Sequence, residues 1–283
     1  MDALCNGYTL IEGPLWVPGR GLMFADVLAG GVFCLGESGA VETVFEHRRG
    51  IGGMSWHEAG GLVVSGRNLS FKPFGEGATL TLIEQQEDGR VGFNDITTDA
   101  AGRVYAGSLG NSPVFADGRE PRSGDLYVVD LDGSFRIVGR DIQLTNGLGF
   151  SPDGGTLYHS DTTRGGVFCY EVYDDGNLGE KRLFAEISDA DGLVVAEDGS
   201  VWVACAGRGG VQVLAADATL TRFIEIPKPM CTSLCFGGSD LQDLYIVCGS
   251  RGTDSENAGA VYKVRVDVAG VPVAPARVAL PNS

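Results

Sequence analysis

The chain has 283 residues, 44 of them glycine, with 43% apolar and 20% charged residues and a formal net charge of −16. This is a globular, turn-rich composition, long enough for two ordinary domains or one large all-β domain. The acidity sets the chain against nucleic acid and anionic membrane surfaces as partners and leaves room for cations, metal ions included, although it also serves solubility alone.

The first residues, Met1 to Gly7, lack the basic and long apolar regions of a secretory leader. No apolar run approaches the roughly 18 residues that span a bilayer as a helix. The seven cysteines (Cys5, Cys34, Cys169, Cys205, Cys231, Cys235 and Cys248) are odd in number and form no Cys-x-x-Cys pair. Most stand among β-type apolar residues, so reduced, buried thiols in a cytoplasmic protein are expected.

In chain order, one phrase recurs: a small or polar residue, then a short apolar strand. It begins at Glu12, Gly52, Asn94, Asn146, Asp191 and Thr232, at spacings of 40, 42, 52, 45 and 41 residues. A turn and a second strand follow each time, as in Leu22–Asp26, Leu62–Ser65, Val104–Gly107, Leu157–Asp161, Val201–Ala204 and Leu244–Val247. Ser151-Pro152-Asp153-Gly154 shows the turn chemistry: proline presets φ, and glycine accepts positive φ. Third strands follow in many units, such as Gly124–Val129 and Gly166–Tyr170.

Six evenly spaced units of strands predict an all-β, six-bladed β-propeller with four-stranded antiparallel blades around a central channel. The prediction covers residues 1–283 as a single domain. A two-domain sandwich is the alternative, but it does not explain the even spacing. Ring closure needs the termini to share a blade, and either residues 1–10 or 261–280 supply the strand. The long third interval carries a polar loop from Gly110 to Gly124, and a second excursion lies at Phe71–Gly75. Both read as rim loops shaping substrate access or as variable surface loops.

Four of the six leading residues, Glu12, Asn94, Asn146 and Asp191, are carboxylates or carboxamides. In a propeller, equivalent positions of the inner strands form a ring at one height. Two carboxylates and two amides offer hard oxygen donors for one divalent metal ion, Ca²⁺ first, with Mg²⁺, Mn²⁺ or Zn²⁺ as alternatives. Four protein donors leave open positions for water and substrate, as metal-assisted hydrolysis requires. Glycines after three of them (Gly13, Gly147, Gly192) suit a tight turn aiming the side chain inward. Taken singly, each Asn or Asp also reads as a turn residue.

At these residues the chain resembles the regucalcin (senescence marker protein) and gluconolactonase family of six-bladed propellers. The resemblance rests on Glu12-Gly13-Pro14-Leu15-Trp16, Phe93-Asn94-Asp95, Thr145-Asn146-Gly147 with Ser151–Gly154, Asp191-Gly192-Leu193 and Cys235–Gly238, and it covers nearly the whole chain. It implies that Glu12, Asn146 and Asp191 hold one metal, that Asn94 contacts water or substrate beside it, and that the reaction is lactone hydrolysis; related members hydrolyse organophosphates. Asp191 is then the expected general base or only a ligand, and Asn94 orients the water or the carbonyl. Family members acting on aldonolactones resemble Arg-x-Asn-Asp, where this chain has Gly92, with Arg90 two residues further away. An expected glutamate also gives way to Asn111 and Ser112. Both departures point to a lactone or ester less hydroxylated than gluconolactone. Met54 and Phe71, together with Trp56 and Phe74, are the expected apolar pocket walls, with core packing the competing role for Trp56.

His57 and His159 read as structural histidines, and Asp26 and Asp161 as anchors of turns between blades. The expected partner is a small lactone or ester, and the expected state is a monomer or weak homodimer. A phosphotriesterase-like hydrolase at the same metal, or a non-catalytic calcium-binding propeller, are the alternative functions.

Overall fold

The computed structural model describes residues 1–84, 91–115, 120 and 122–281. Among them there is no helix; the chain is built from short strands. It begins with β1 (Asp2–Tyr8) and then lays down blades in sequence. The first is β2 (Ile11–Val17), β3 (Gly21–Asp26), β4 (Val32–Leu35) and β5 (Val41–Phe45). The second is β6 (Met54–His57), β7 (Gly61–Val64), β8 (Leu69–Pro73) and β9 (Leu80–Ile83). The third is β10 (Gly92–Thr98), β11 (Val104–Leu109), β12 (Gly124–Val129) and β13 (Phe135–Ile142). The fourth is β14 (Thr145–Phe150), β15 (Thr156–Asp161), β16 (Gly166–Glu171) and β17 (Arg182–Glu186). The fifth is β18 (Ala190–Val195), β19 (Val201–Cys205), β20 (Gly210–Leu214) and β21 (Leu220–Glu225). The sixth has β22 (Cys231–Gly237), β23 (Asp243–Cys248) and β24 (Gly259–Arg265).

Each blade is an antiparallel meander in sequence order, and β1 adds to β24 as the fourth, outermost strand of the sixth blade. The N-terminal segment therefore closes the ring. The inner strands β2, β6, β10, β14, β18 and β22 each touch the next, and β22 returns to β2. The protein is a six-bladed β-propeller. All six repeat phrases form or immediately precede these inner strands.

The sequence makes these strands for two reasons. Alternation buries one face: β2 alternates buried Ile11, Gly13, Leu15 and Val17 with partly open residues. Side-chain-capped turns stop them. At Ser151–Gly154 the Gly154 N–H donates to the Ser151 carbonyl (2.9 Å), Gly154 takes a φ of 72°, and Asp153 accepts from the Ser151 hydroxyl and the Gly155 N–H. Between blades the faces interdigitate. Trp202 of β19 meets Phe236 of β22 edge-on at 5.4 Å, within a buried cluster that includes Val211, Leu234 and Ile246. Burying each such side chain stabilises by about 1.5–3 kcal/mol before entropy is counted.

Beyond β24, residues 266–281 cross the propeller end at which the inner strands finish. Val271 N–H donates to Val195, Ala276 N–H to Trp56, Arg277 N–H to Gly102 and Ala279 N–H to Leu131. His57 accepts from the Ala59 N–H on Nδ1 and meets the Val278 carbonyl at Nε2 (3.0 Å), which makes it a satisfied structural histidine. The tail closes that mouth of the channel, leaving a cavity of about 170 Å³ above Val271, Pro272 and Val273. The other mouth is open.

All seven cysteines are unpaired thiols, five of them buried. Burial pushes Cys5 up to about 11 and Cys205 up to about 12, so neither is a thiolate near neutrality. No helix is long and apolar enough to cross a membrane among the described residues.

Candidate active site

The open mouth is formed at the starts of the inner strands and the ends of the second strands. Five of the six inner strands are irregular there, and β6 is the regular one. Register shifts fall between Glu12 and Leu15, Phe93 and Ile96, Thr145 and Leu148, Ala190 and Leu193, and Cys231 and Ser233. A bulge inserts a residue, bends the strand and re-aims side chains. Here the bulges coincide with Glu12, Asn94, Asn146, Asp191 and Thr232, and the first four of these line the channel mouth. The glycines beside them act differently from expectation. Only Gly13 has positive φ, at 58°. Gly147 and Gly192 instead permit blades to approach: a Cβ on Gly147 would lie 2.0 Å from the Leu193 nitrogen, and one on Gly192 would lie 2.1 Å from the Ser233 hydroxyl.

Glu12, Asn94, Asn146 and Asp191 all line one cavity of about 690 Å³ at this mouth. Asn94 Nδ2 donates to Asn146 Oδ1 (2.7 Å) and to the Thr145 carbonyl (2.8 Å). Asn146 Nδ2 donates to Thr162 Oγ1 (2.7 Å), whose hydroxyl donates to the Ala190 carbonyl (2.6 Å). Both amide planes are thus fixed, and Asn146 Oδ1 keeps one acceptor site of its two. The sixth ring position is structural: Thr232 Oγ1 donates to the Ile11 carbonyl (2.6 Å) and joins the sixth blade to the first. The second position must be glycine, because a Cβ on Gly52 would lie 2.0 Å from Asn94 Oδ1.

Glu12 and Asp191 are held well above the usual carboxylate range. Burial is the largest cause for both. Asp191 then adds to the shift at Glu12, and Asp95 to that at Asp191, against which Arg251 pulls down. Asp95 itself lines the inner channel cavity, and burial pushes it up to about 7. Carboxylates held in this way are relieved by a proton or by a cation. Among the described residues no three His, Cys, Asp or Glu side chains form a metal-holding cluster. The donor set is mixed: two carboxylates with carboxamide oxygen, which fits a hard divalent ion.

The expected anchors hold the loops at this mouth. Asp26 accepts from the Thr9, Leu28 and Ala29 N–H groups, and Asp161 from the Gln143 and Leu144 N–H groups. Ser65 Oγ accepts from the Gly52 and Gly53 N–H groups in the same role. His159 is buried and meets Thr145 Oγ1 at 2.7 Å, one residue from Asn146.

The apolar walls are not the expected ones. Met54 is buried and lines the inner channel cavity, not the open one. Phe71 is core, packed edge-on against His57 at 5.1 Å. Trp56 packs in the core between the first two blades, and Phe74 stacks on Phe45 with Arg20 over its ring. All four belong to the second blade, and none of them lines the open cavity. The open cavity is walled instead by Leu10, Val27 and Met230, a small apolar cluster, and by Val114 and Phe115 of the long third-blade loop. That loop does shape the mouth; its residues 116–119 and 121 lie outside the described residues, as does Arg90.

Sequence reasoning missed the residues that follow the second strands: Val27, Arg67, Thr162, Ala206 and Arg251, all lining the cavity. Val27, Thr162 and Ala206 hold equivalent places directly after β3, β15 and β19, because a second strand runs antiparallel to its inner strand and ends where that strand begins; Arg67 and Arg251 stand three residues past the ends of β7 and β23. Aligning this position across the repeats was the signal available. Gly92, which stands where aldonolactonase-like sequences carry arginine, has a φ of 148°, and a Cβ there would lie 2.3 Å from the Gly66 carbonyl oxygen and 3.0 Å from Arg67 Cα.

Residues 10–250 match the SMP-30/Gluconolactonase/LRE-like region. The chain belongs to this family. Its relatives include proteins named as lactonases. The chain is 29% identical over 273 residues to 6-deoxy-6-sulfogluconolactonase of Pseudomonas putida, covering 92% of each chain. It is 28% identical to pentonolactonase XacC of Haloferax volcanii, covering 96% of this chain and 95% of that one. In fold it is similar to a calcium-binding regucalcin of Agrobacterium tumefaciens, with a TM-score of 0.85, 22% identity and coverage of 98% and 97%.

Proposed function

We propose that the protein is a divalent-metal-dependent lactonase acting on a lactone less polar than gluconolactone. The observation that carries this reading is the convergence of Glu12, Asn146 and Asp191, in a family that includes named lactonases, on one open cavity. Two neighbouring carboxylates, each disfavoured in its charged form by burial and by acidic neighbours, support a bound cation, Ca²⁺ first, and the calcium-binding regucalcin neighbour agrees with it only at the level of fold. When bound, such an ion polarises the substrate carbonyl and acidifies water.

The chain's own residues do the rest. Glu12, Asn146 and Asp191 would hold the ion. Asp191, lining the cavity beside the ion, would take the proton of the attacking water. Asn94 has both Nδ2 hydrogens committed, to Asn146 and Thr145, so it is not free to donate to a carbonyl oxygen. Its work is to hold Asn146 in place, leaving Oδ1 as an acceptor for water. Leu10, Val27, Met230 and Val114 offer apolar contact where a polyhydroxylated sugar would need donors and acceptors. That supports an aliphatic or aromatic lactone or ester.

The test is hydrolysis of a lactone panel by chelator-treated protein with each of Ca²⁺, Mg²⁺, Mn²⁺ and Zn²⁺ restored. Turnover that returns with one metal and is lost in Asp191→Ala and Asn146→Ala supports the reading. Absence of turnover on every lactone, with phosphotriesters hydrolysed instead, transfers the site to the second chemistry.

A further inference from the structure

The open cavity contains a charge pattern opposite to that of the chain. Overall, 37 acidic residues outnumber 21 basic ones. Yet three arginines line this cavity, Arg49, Arg67 and Arg251, and among the described residues its acidic lining is Glu12 and Asp191. If those two carboxylates balance a divalent ion, Arg49 and Arg251 leave the described lining of the cavity net positive.

The arginines come from separate loops on neighbouring blades. Arg49 precedes the second inner strand, Arg67 follows β7, and Arg251 follows β23. They therefore arc over the sixth, first and second blades, on either side of Glu12. The backbone around them is fixed. Gly66 and Phe93 exchange two N–H···O bonds (3.1 and 2.7 Å), pinning the Arg67 loop to the third blade beside Gly92. A Cβ on Gly66 would sit 3.3 Å from the Gly50 carbonyl, so the Arg49 and Arg67 loops are in contact. Arg251 acts electrostatically on Asp191. Neither Arg49 nor Arg251 has an ion-pair partner among the described residues, in a protein where Arg103, Arg136, Arg164, Arg208, Arg265 and Arg277 all have one.

Guanidinium groups at the mouth of a low-dielectric, apolar-walled cavity bind oxyanions in forked geometry and attract them from solution. We propose that Arg49, Arg67 and Arg251 form an anion-recognition arc, and that the substrate is a lactone or ester bearing a carboxylate or another oxyanion group on an apolar skeleton. The proposal rests on the lactonase reading for its reaction and on the arginines alone for its specificity.

The experiment uses a matched pair: an aliphatic lactone whose side chain ends in a carboxylate, and its methyl ester. The metal-loaded wild type is expected to favour the acid by about 10- to 100-fold in kcat/KM, carried by KM, as a charge-assisted contact requires. That preference should shrink between 0.05 and 0.5 M salt. In Arg49→Gln and Arg251→Gln the preference should collapse towards one through a raised KM for the acid. In parallel, adipate should raise the melting temperature of the metal-loaded wild type and not of the Arg49→Gln/Arg251→Gln double variant. Equal turnover of acid and ester by the wild type, or variants that lower both in proportion, overturns the proposal. So does adipate without effect. If neither lactone is hydrolysed while adipate still stabilises through the arginines, the lactonase reading fails and the anion site stands.

Discussion

Replacing Asp191 by asparagine separates the two roles of the acidic pair. In the wild type, Glu12 and Asp191 are buried together, and each is destabilised in its charged form by burial and by neighbouring carboxylates. A cation bound only by the folded state relieves this and stabilises by RT ln(1 + [M]/Kd), about 2.7 kcal/mol at a hundredfold excess over Kd. Unfolding entropy is about 2.1 cal/mol/K per residue, so for 283 residues it is about 0.6 kcal/mol/K. The metal should therefore raise the melting temperature by about 4–5 °C. In Asp191→Asn one anionic donor is gone, and the same metal concentration should give a shift below about 1 °C. The chelator-treated variant should melt no lower than the chelator-treated wild type, because the mutation removes a buried charge and keeps the shape. Calorimetry of both proteins, with and without each metal, measures all four states. An undiminished metal shift in the variant would falsify the assignment of Asp191 as a ligand. A variant several degrees less stable without metal would mean that Asp191 serves instead as the structural partner of Arg251.

Three further outcomes follow from single residues. Asp95 is pushed up to about 7 from an ordinary 3.8, so its contribution is fully present below pH ~3.8 and is lost as pH rises through 7; chelator-treated protein should lose stability to urea from pH 5 to 8, and Asp95→Asn should flatten that slope. His159 is held down at about 3 by burial, so the folded state refuses the proton that the unfolded chain takes below 6.5. Its penalty is absent above pH 6.5 and reaches about 2–3 kcal/mol by pH 4.5, and His159→Gln should remove that part of the acid sensitivity in melting curves, a result refuted by parallel pH profiles. Installing the aldonolactonase-like arginine by Gly92→Arg should not create gluconolactone hydrolysis: a Cβ there meets the Gly66 carbonyl oxygen at 2.3 Å with φ at 148°, so the expected readout is a loss of about 1–3 kcal/mol or more of stability, and a stable variant that gains the activity would refute the steric account.

The repeat and its first residue were legible because both are local. Alternation, turn chemistry and even spacing appear directly in the sequence, and a propeller converts equal register into equal height. Glu12, Asn94, Asn146 and Asp191 were found on that logic alone, and they share a cavity. Ring closure was only half legible: both termini carry strand-like residues, and pairing with β24 is decided by which end lies beside it when the sixth blade forms. The pocket walls were misread for a different reason. Apolar residues such as Met54 and Phe71 announce burial, but burial in a propeller is mostly between blades, and nothing in a single strand says which end of the channel it faces.

The same geometry explains why Arg67 could stand in a place that the sequence seemed to leave empty. Position 92 is glycine because the Gly66 carbonyl and the Arg67 backbone occupy the space its side chain would need. A loss read along one strand is therefore coupled to a gain on the adjoining blade: the two-bond bridge between Gly66 and Phe93 that forbids a side chain at 92 also carries Arg67 to the cavity rim. On the proposed reading, specificity depends on loops between strands of neighbouring blades, and those loops come beside Glu12, Asn146 and Asp191 only when the ring closes. The carboxylate–amide set depends on in-register inner strands, while the arginine arc depends on contacts between blades. The first can be retained while the second varies, so the proposed chemistry and the proposed choice of substrate fall to separable parts of the fold.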